Sequence, residues 1–370
     1  MNLSRTALIL VSLAIVLTGC VSDSAMFRGN LERTGVYAGD GPNQLSELIW
    51  KFETNGRISS SPAIADGRAY FGSEDGHLYA VDIETGQEIW GFLTGDGVYS
   101  SPVISNEVVY FGSDDGYLYA VDADSGQEIW NFLTGDAIWS SPAISNGVVY
   151  FGSNDGHLYA VDAESGKEEW RFETRQAVIS SPAILDGAVY FGSDDAYLYA
   201  VDIERGQEIW KFRTQRNSSP YSVLSSPAIS NGVIYFGSSA DAGGAHGFLY
   251  AVDIVSGQEI WKFETNDRYL STPTISEGAV YFGSDDHFYA LDLETGQEKW
   301  SFENAVVSSP AVFGEVVYFG SWDSHLYGVD IEAGQVRWKF QAEDAVTSSP
   351  AISNGVIYFG SYDGYLYAVR

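Results

Sequence analysis

The tetrapeptide Tyr-Phe-Gly-Ser occurs eight times in this chain, beginning at Tyr70, Tyr110, Tyr150, Tyr190, Tyr235, Tyr281, Tyr318 and Tyr358. Each copy follows a Ser-Pro or Thr-Pro step, with prolines at 62, 102, 142, 182, 227, 273, 310 and 350. One tryptophan per unit keeps the same rhythm: Trp50, Trp90, Trp130, Trp170, Trp210, Trp261, Trp300 and Trp338, spaced 40, 40, 40, 40, 51, 39 and 38 apart. A chain with so regular a repeat folds as copies of one unit, and a period near 40 fits either a four-stranded blade or a helical repeat.

The inside of the unit decides between them. In the third unit, residues 137–175, Ile138 to Ile144 is a short apolar run and Ser145-Asn146-Gly147 a hairpin turn in which Asn-Gly readily takes positive φ. Val148 to Gly152 is a second run rich in β-branched and aromatic residues, and Asn154-Asp155-Gly156 turns into His157 to Val161. Asp162 to Gly166 makes the third turn and Glu169 to Phe172 the fourth run. None is long enough for an ordinary helix, and turn residues bound each one. Four strands per unit, A to D, make the blade of an all-β propeller. The last unit ends at strand C, Leu366 to Val369, while Leu48 to Phe52 is a D-type strand with no A, B or C before it. Pairing the two predicts an eight-bladed β-propeller of four-stranded antiparallel blades, closed by the N-terminal strand completing the last blade, with no exposed edge at the seam.

The stretch Ala80-Val81-Asp82-Ile83-Glu84-Thr85-Gly86-Gln87-Glu88-Ile89-Trp90 resembles the tryptophan-docking motif of pyrroloquinoline-quinone (PQQ) type propellers, and seven copies run as far as Trp338. The resemblance implies that the eight tryptophans dock between blades and are structural. It also implies two branches: quinoprotein dehydrogenases, and non-enzymatic lipoproteins such as the propeller subunit of the outer-membrane β-barrel assembly machinery. Fold alone does not choose. The dehydrogenases hold PQQ between a tryptophan and a vicinal disulfide, with a calcium-type ion and a catalytic Asp. This chain has one cysteine, Cys20, and no long insertion to roof a cofactor. The expectation is a chain without cofactor, metal or catalytic residue; the alternative is a quinoprotein-type dehydrogenase or other channel-centred enzyme.

Ahead of the repeats, Arg5 precedes an apolar run, Ala7 to Leu17, too short to span a bilayer. Leu17-Thr18-Gly19-Cys20 resembles a lipobox, which implies a signal peptide over 1–19 and lipidation at Cys20. Residues 20–45 then read as a tether and lead-in, and 46–370 as the propeller. With Val21 rather than Asp after the cysteine, the lipoprotein pattern implies the outer membrane, facing the periplasm, or the outer surface of the cytoplasmic membrane in a host without one. Membrane contact is through the lipid anchor only. A formal net charge of −31, from 50 acidic and 19 basic residues, repels phosphate, so nucleic acid is not a partner. The expected partners are proteins at the envelope, docked by a monomeric propeller that acts as a scaffold.

Several residues invite chemistry and have a plainer reading. The Ser-x-Asp-Gly turns at 73–76, 113–116, 153–156 and 361–364 lack a calcium loop's spacing and fit Asp accepting backbone N–H bonds. His77, His157, His246, His287 and His325 sit at or beside B–C turns of different blades, too dispersed to share a zinc ion. Ser-Ser-Pro has no partnered base and is read as fixing strand A at the channel. The most varied strand A position lies three before each proline: Ser59, Tyr99, Trp139, Ile179, Leu224, Leu270, Val307 and Thr347. The fifth unit is longer, with added residues before strand A and between strands B and C; Asn217-Ser218-Ser219 within it is a glycosylation sequon. D–A and B–C connections emerge on one face, so Tyr99, Trp139, Arg216, Asn217, Tyr221, Asp241 and His246 form the candidate partner-binding face.

Overall fold

The computed structural model describes residues 26–37, 47–216, 219–220, 222–239, 246–268, 270–306 and 308–370. The signal, the lipobox and Cys20 lie outside them, as do Asn217, Tyr221, Asp241 and Val307. Eight four-stranded antiparallel sheets form the ring. Blade 1 runs Ala63–Ala65, Arg68–Gly72, His77–Asp82 and Glu88–Leu93 as strands A to D, and six further blades repeat that order along the chain. Blade 8 takes strands A to C from Ala351–Ser353, Val356–Gly360 and Tyr365–Val369, and strand D from Leu48–Glu53. Across that seam Trp50 faces Ala368 and Phe52 faces Leu366.

Each A strand touches the A strands on both sides of it, Ala63–Ala65 meeting both Val103–Ser105 and Ala351–Ser353, so the eight short strands line the central channel. The core lies between blades. Phe92 of blade 1 meets Phe111 and Tyr119 of blade 2 edge-on, with centroids 5.9 and 5.2 Å apart, and Phe111 stacks on Tyr119.

The docking motif is an interblade joint. Trp130 Nε1 donates to the Ala163 carbonyl in the C–D turn of the next blade at 3.0 Å. Gly166 in that turn has φ +67°, and a Cβ there would stand 2.7 Å from Trp130 Cδ2. Positive φ and this close approach both require glycine. The carboxylate of Asp162 closes the turn by accepting from the Ser165 backbone N–H and hydroxyl. Trp50, Trp90, Trp170, Trp210, Trp261 and Trp300 donate in the same way to Ile83, Ala123, Ile203, Ile254, Leu293 and Ile331. Trp338 differs: its Nε1 is buried and finds no acceptor among the described residues. Its neighbour is blade 8, where a Glu47–Arg370 backbone pair takes the place of a C–D turn.

Residues 26–37 enter the channel. The carbonyls of Leu31, Glu32, Thr34 and Gly35 accept from the N–H groups of Ile184, Ile229, Ile275 and Val312, one strand A residue in each of blades 4 to 7. Met26 packs in a cluster with Val103 and Ile144 of blades 2 and 3. Phe27 and Tyr37 face Pro62, Pro310 and Pro350 of blades 1, 7 and 8. One segment of the chain therefore bonds to or packs against blades 2 to 8 from the inside and shares a cavity lining with blade 1.

Candidate functional site

The channel and its mouth on the D–A/B–C face are the two places where all the blades converge. The channel is girdled by the Ser-Ser-Pro steps. At seven of the eight joints the hydroxyl before the proline accepts from the backbone N–H of its counterpart in the preceding blade: Ser61 to Ser101, Ser101 to Ser141 and Ser141 to Ser181, each at 2.9 Å. The series continues through Ser226 and Thr272, and Ser309 to Ser349 to Ser61 closes the seam. These hydroxyls are spent on holding the ring.

Arg28 and Arg33 fill the space inside it. Arg33 reaches the carbonyls of Pro182, at 2.6 Å, and Ser141, at 3.0 Å; Arg28 reaches that of Thr272 at 2.9 Å. Both side chains are buried, and burial draws both guanidinium groups down to about 9, still cationic at neutral pH. Their hydrogen-bond partners among the described residues are backbone carbonyls and the Thr274 hydroxyl, with no carboxylate. Carbonyl dipoles, rather than a counter-charge, hold two cations on the axis of an acidic protein.

At the mouth, D–A loops and B–C turns are bolted together. Asp115 Oδ1 accepts from the Tyr117 N–H at 3.0 Å; its Oδ2 accepts from the Tyr119 hydroxyl at 2.8 Å and from the Gly95 N–H of the incoming D–A loop at 2.7 Å. The Ser-x-Asp-Gly aspartates Asp75, Asp155 and Asp363 do the same. In six blades the first residue of the B–C turn is pinned as well, as with Asp114 N–H to the Gly97 carbonyl and Glu74 N–H to that of Arg57. Its side chain therefore stands beside the variable strand A position.

This brings an acidic turn residue, Asp114, to two of the variable strand A residues. Tyr99 and Trp139 lie with ring centroids 6.1 Å apart. Trp139 is 43% exposed, and its indole N–H donates to Asp114 Oδ1. Asp114 is held above the ordinary carboxylate range by burial first, with the charges of Asp96, Asp115 and Glu74 adding to it against the Trp139 bond. Burial and the nearby Glu74 and Asp114 charges raise the Tyr99 phenol. Farther round, Trp322, 49% exposed, meets Tyr362 edge-on at 5.7 Å, and the Arg57 guanidinium lies 4.7 Å from the Tyr362 ring centre. Ile179, Leu224 and Thr347 are half-buried and Leu270 is buried.

The fifth-blade insertions rise on this same face. Gln215–Arg216 pairs with Ser219–Pro220, strands B and C lengthen to pair Ser239 with Gly247, and Ser239 N–H donates to the Ser222 carbonyl across the two insertions. His246 stands at the stem of the B–C insertion, 3.4 Å from Glu264, on blade 5 rather than beside the Tyr99–Trp139 pair. The other histidines also pair locally: His77 with Asp75, His157 with Asp155, His325 with Asp323 and His287 with Asp267.

Comparison with known proteins places this architecture. The family model described as "Beta-alanine-activating enzyme, beta-propeller" matches residues 42–241, more than half of the chain. The chain belongs to that β-propeller family. Residues 242–370 match the PQQ-type family described as outer membrane protein assembly factor BamB, and the chain is a PQQ-type propeller resembling BamB. Among solved structures, BamB from Moraxella catarrhalis is 19% identical with a TM-score of 0.76, covering 88% of this chain and all of that one. A europium-containing methanol dehydrogenase is 14% identical with a TM-score of 0.79, covering 92% of this chain and 90% of that one. The quinohemoprotein alcohol dehydrogenase ADHIIG from Pseudomonas putida HK5 is 16% identical with a TM-score of 0.79, covering 94% and 80%. Comparison with curated proteins gives no match. At these identities the structural likeness is one of fold, shared by non-enzymes and enzymes alike.

A quinone cofactor does not fit the channel of this PQQ-type propeller. The axis at the Ser-Pro level is taken by Arg28 and Arg33, whose N–H groups are committed to carbonyls of the blades, and the sequence has no cysteine pair for a vicinal disulfide.

Proposed function

We propose that this protein is a non-catalytic, lipid-anchored scaffold that docks a protein partner at the cell envelope through its D–A/B–C face, in the manner of an outer-membrane assembly factor. The filled channel carries this reading: with residues 26–37 bound to the innermost strands, the axis offers no reaction chamber, and recognition falls to the mouth. The likeness to BamB in sequence family and in fold supports it.

The position of Met26 gives the anchor an orientation. Met26 lies near Ile64, Ile352 and Ser353, toward the A–B end of the channel. It lies six positions after Cys20, a reach of at most about 22 Å. A lipid on Cys20 would hold the A–B/C–D face toward the membrane and turn the mouth toward the compartment. Cys20→Ser releases the propeller from the membrane fraction under this reading; full retention of a processed mutant contradicts the anchor. For the non-catalytic assignment, the purified protein is given PQQ, calcium and a range of alcohols and sugars in a dye-reduction assay. No reduction above the protein-free control is expected, and sustained turnover overturns it.

A further inference from the structure

The sector of the mouth from the blade 1 B–C turn to the loop into blade 3 has an unusual composition. Loops 94–101 and 134–141 and turns 73–76 and 113–116 contain no lysine or arginine. They supply Glu74, Asp96 and Asp114 around the Tyr99–Trp139 pair. One indole edge is fixed by Asp114 while 43% of Trp139 remains in solvent. A large aromatic surface at a rigid rim is costly to leave exposed, and its neighbours decide what covers it. Here they are carboxylates, so an apolar partner surface would have to desolvate uncompensated charge, and an acidic partner would be repelled. A cationic side chain is suited to both parts, since aromatic faces attract cations and carboxylates accept their N–H bonds.

We infer that Tyr99 and Trp139, framed by Glu74, Asp96 and Asp114, form a receptor for an arginine or lysine side chain on a basic segment of the partner polypeptide. This rests on the docking face proposed above and specifies its chemistry. Basic residues flank this sector: Arg57, in the loop into blade 1, already lies against the Tyr362 ring beside Trp322, and Arg175 opens the loop into blade 4. A guanidinium on a tyrosine within this mouth is the arrangement the free sector would make with a partner.

The test titrates fluorescein-labelled hexa-arginine into the full-length protein in detergent and follows anisotropy at two salt concentrations, with hexa-glutamate as the control. Trp139→Leu keeps an apolar side chain and removes the π face; Asp114→Asn keeps an acceptor for the indole and removes the charge. Each is expected to weaken hexa-arginine binding about three- to thirtyfold, while the C–D turn variants Glu164→Gln and Glu204→Gln leave it unchanged. Equal weakening by mouth and C–D variants would reveal diffuse attraction to an acidic protein and overturn the inference. So would the absence of hexa-arginine binding. Photo-crosslinking to the partner in the native membrane separates this from the docking reading. Partner capture that needs Trp139 while hexa-arginine binding does not would overturn the cationic chemistry and leave the docking face standing. Lost hexa-arginine binding with undiminished partner capture would overturn the use of this sector by the partner.

Discussion

Arg33 donates from Nε to the carbonyl oxygen of Pro182 at 2.6 Å, while another of its N–H groups reaches Ser141. One side chain thus ties blades 3 and 4 together from inside the channel. Hydrogen bonds from a charged group contribute roughly 1.5–3 kcal/mol each, against the cost of keeping that charge out of water. Arg33→Ala is expected to lower the melting temperature by several degrees, and Arg33→Met, which refills the volume without a charge, by less. Calorimetry on the two variants checks the order; an unchanged melting temperature for Arg33→Ala would mean that the segment does not brace the ring.

The seam makes Trp338 unlike its counterparts. Trp90 and Trp338 are almost equally buried, at 8 and 9% exposure, but only Trp90 donates its N–H to a neighbouring turn. Tryptophan to phenylalanine removes the N–H together with part of the ring. Trp90→Phe should therefore cost roughly 0.5–1.5 kcal/mol more than Trp338→Phe, the net worth of one hydrogen bond. Denaturant titration of both variants measures the difference.

Two glycines separate strain from contact. Gly147, φ +77°, has open space where a Cβ would stand, whereas Gly166, φ +67°, lies against Trp130. Gly147→Ala should cost about 1 kcal/mol through backbone conformation alone. Gly166→Ala adds an overpacking cost of about 1–3 kcal/mol and should perturb tryptophan fluorescence, which Gly147→Ala should not.

The repeat tyrosines set the alkaline limit. Burial pushes the phenols of Tyr110, Tyr150, Tyr190, Tyr235, Tyr281 and Tyr358 up to about 12. Below pH 10 they are neutral in both the folded and the unfolded chain and add no pH dependence. Above pH 10 the unfolded chain ionises first, so the folded state holds more protons and stability falls as pH rises toward 12. With six or more groups acting together, unfolding between pH 10 and 12 should be steep, and near-UV difference absorption should show tyrosine ionisation coincident with it. Ionisation that clearly precedes unfolding would contradict this burial effect.

The propeller was legible because it is written eight times. The Asn146-Gly147 and Asp155-Gly156 turns delimit strands in one copy, and Leu48 to Phe52 without A, B or C strands before it pointed to the seam that Trp50 and Ala368 make. Residues 26–37 were read as part of a lead-in because nothing in the repeat refers to them. The available signal was Arg28 and Arg33 in a sequence short of basic residues, close to Gly29 and Gly35, but burial of a cation on carbonyls has no sequence signature. At the mouth, the variation at Tyr99 and Trp139 singled out two residues whose rings the structure puts 6.1 Å apart. Glu74 and Asp114 were passed over because an acid at the start of a turn is ordinary surface chemistry, and only the Asp114 N–H bond to Gly97 places that acid beside the rings.

The central claim is that the mouth, and not the channel or the C–D face, is the working surface. A photo-crosslinking amino acid placed singly at Trp139, Trp322, Glu164 and Glu204 in the full-length protein, irradiated in its native membrane, tests it most directly. The account predicts one shared protein adduct, identified by mass spectrometry, from positions 139 and 322 and none from 164 or 204. An adduct from the C–D positions with none from the mouth would contradict it.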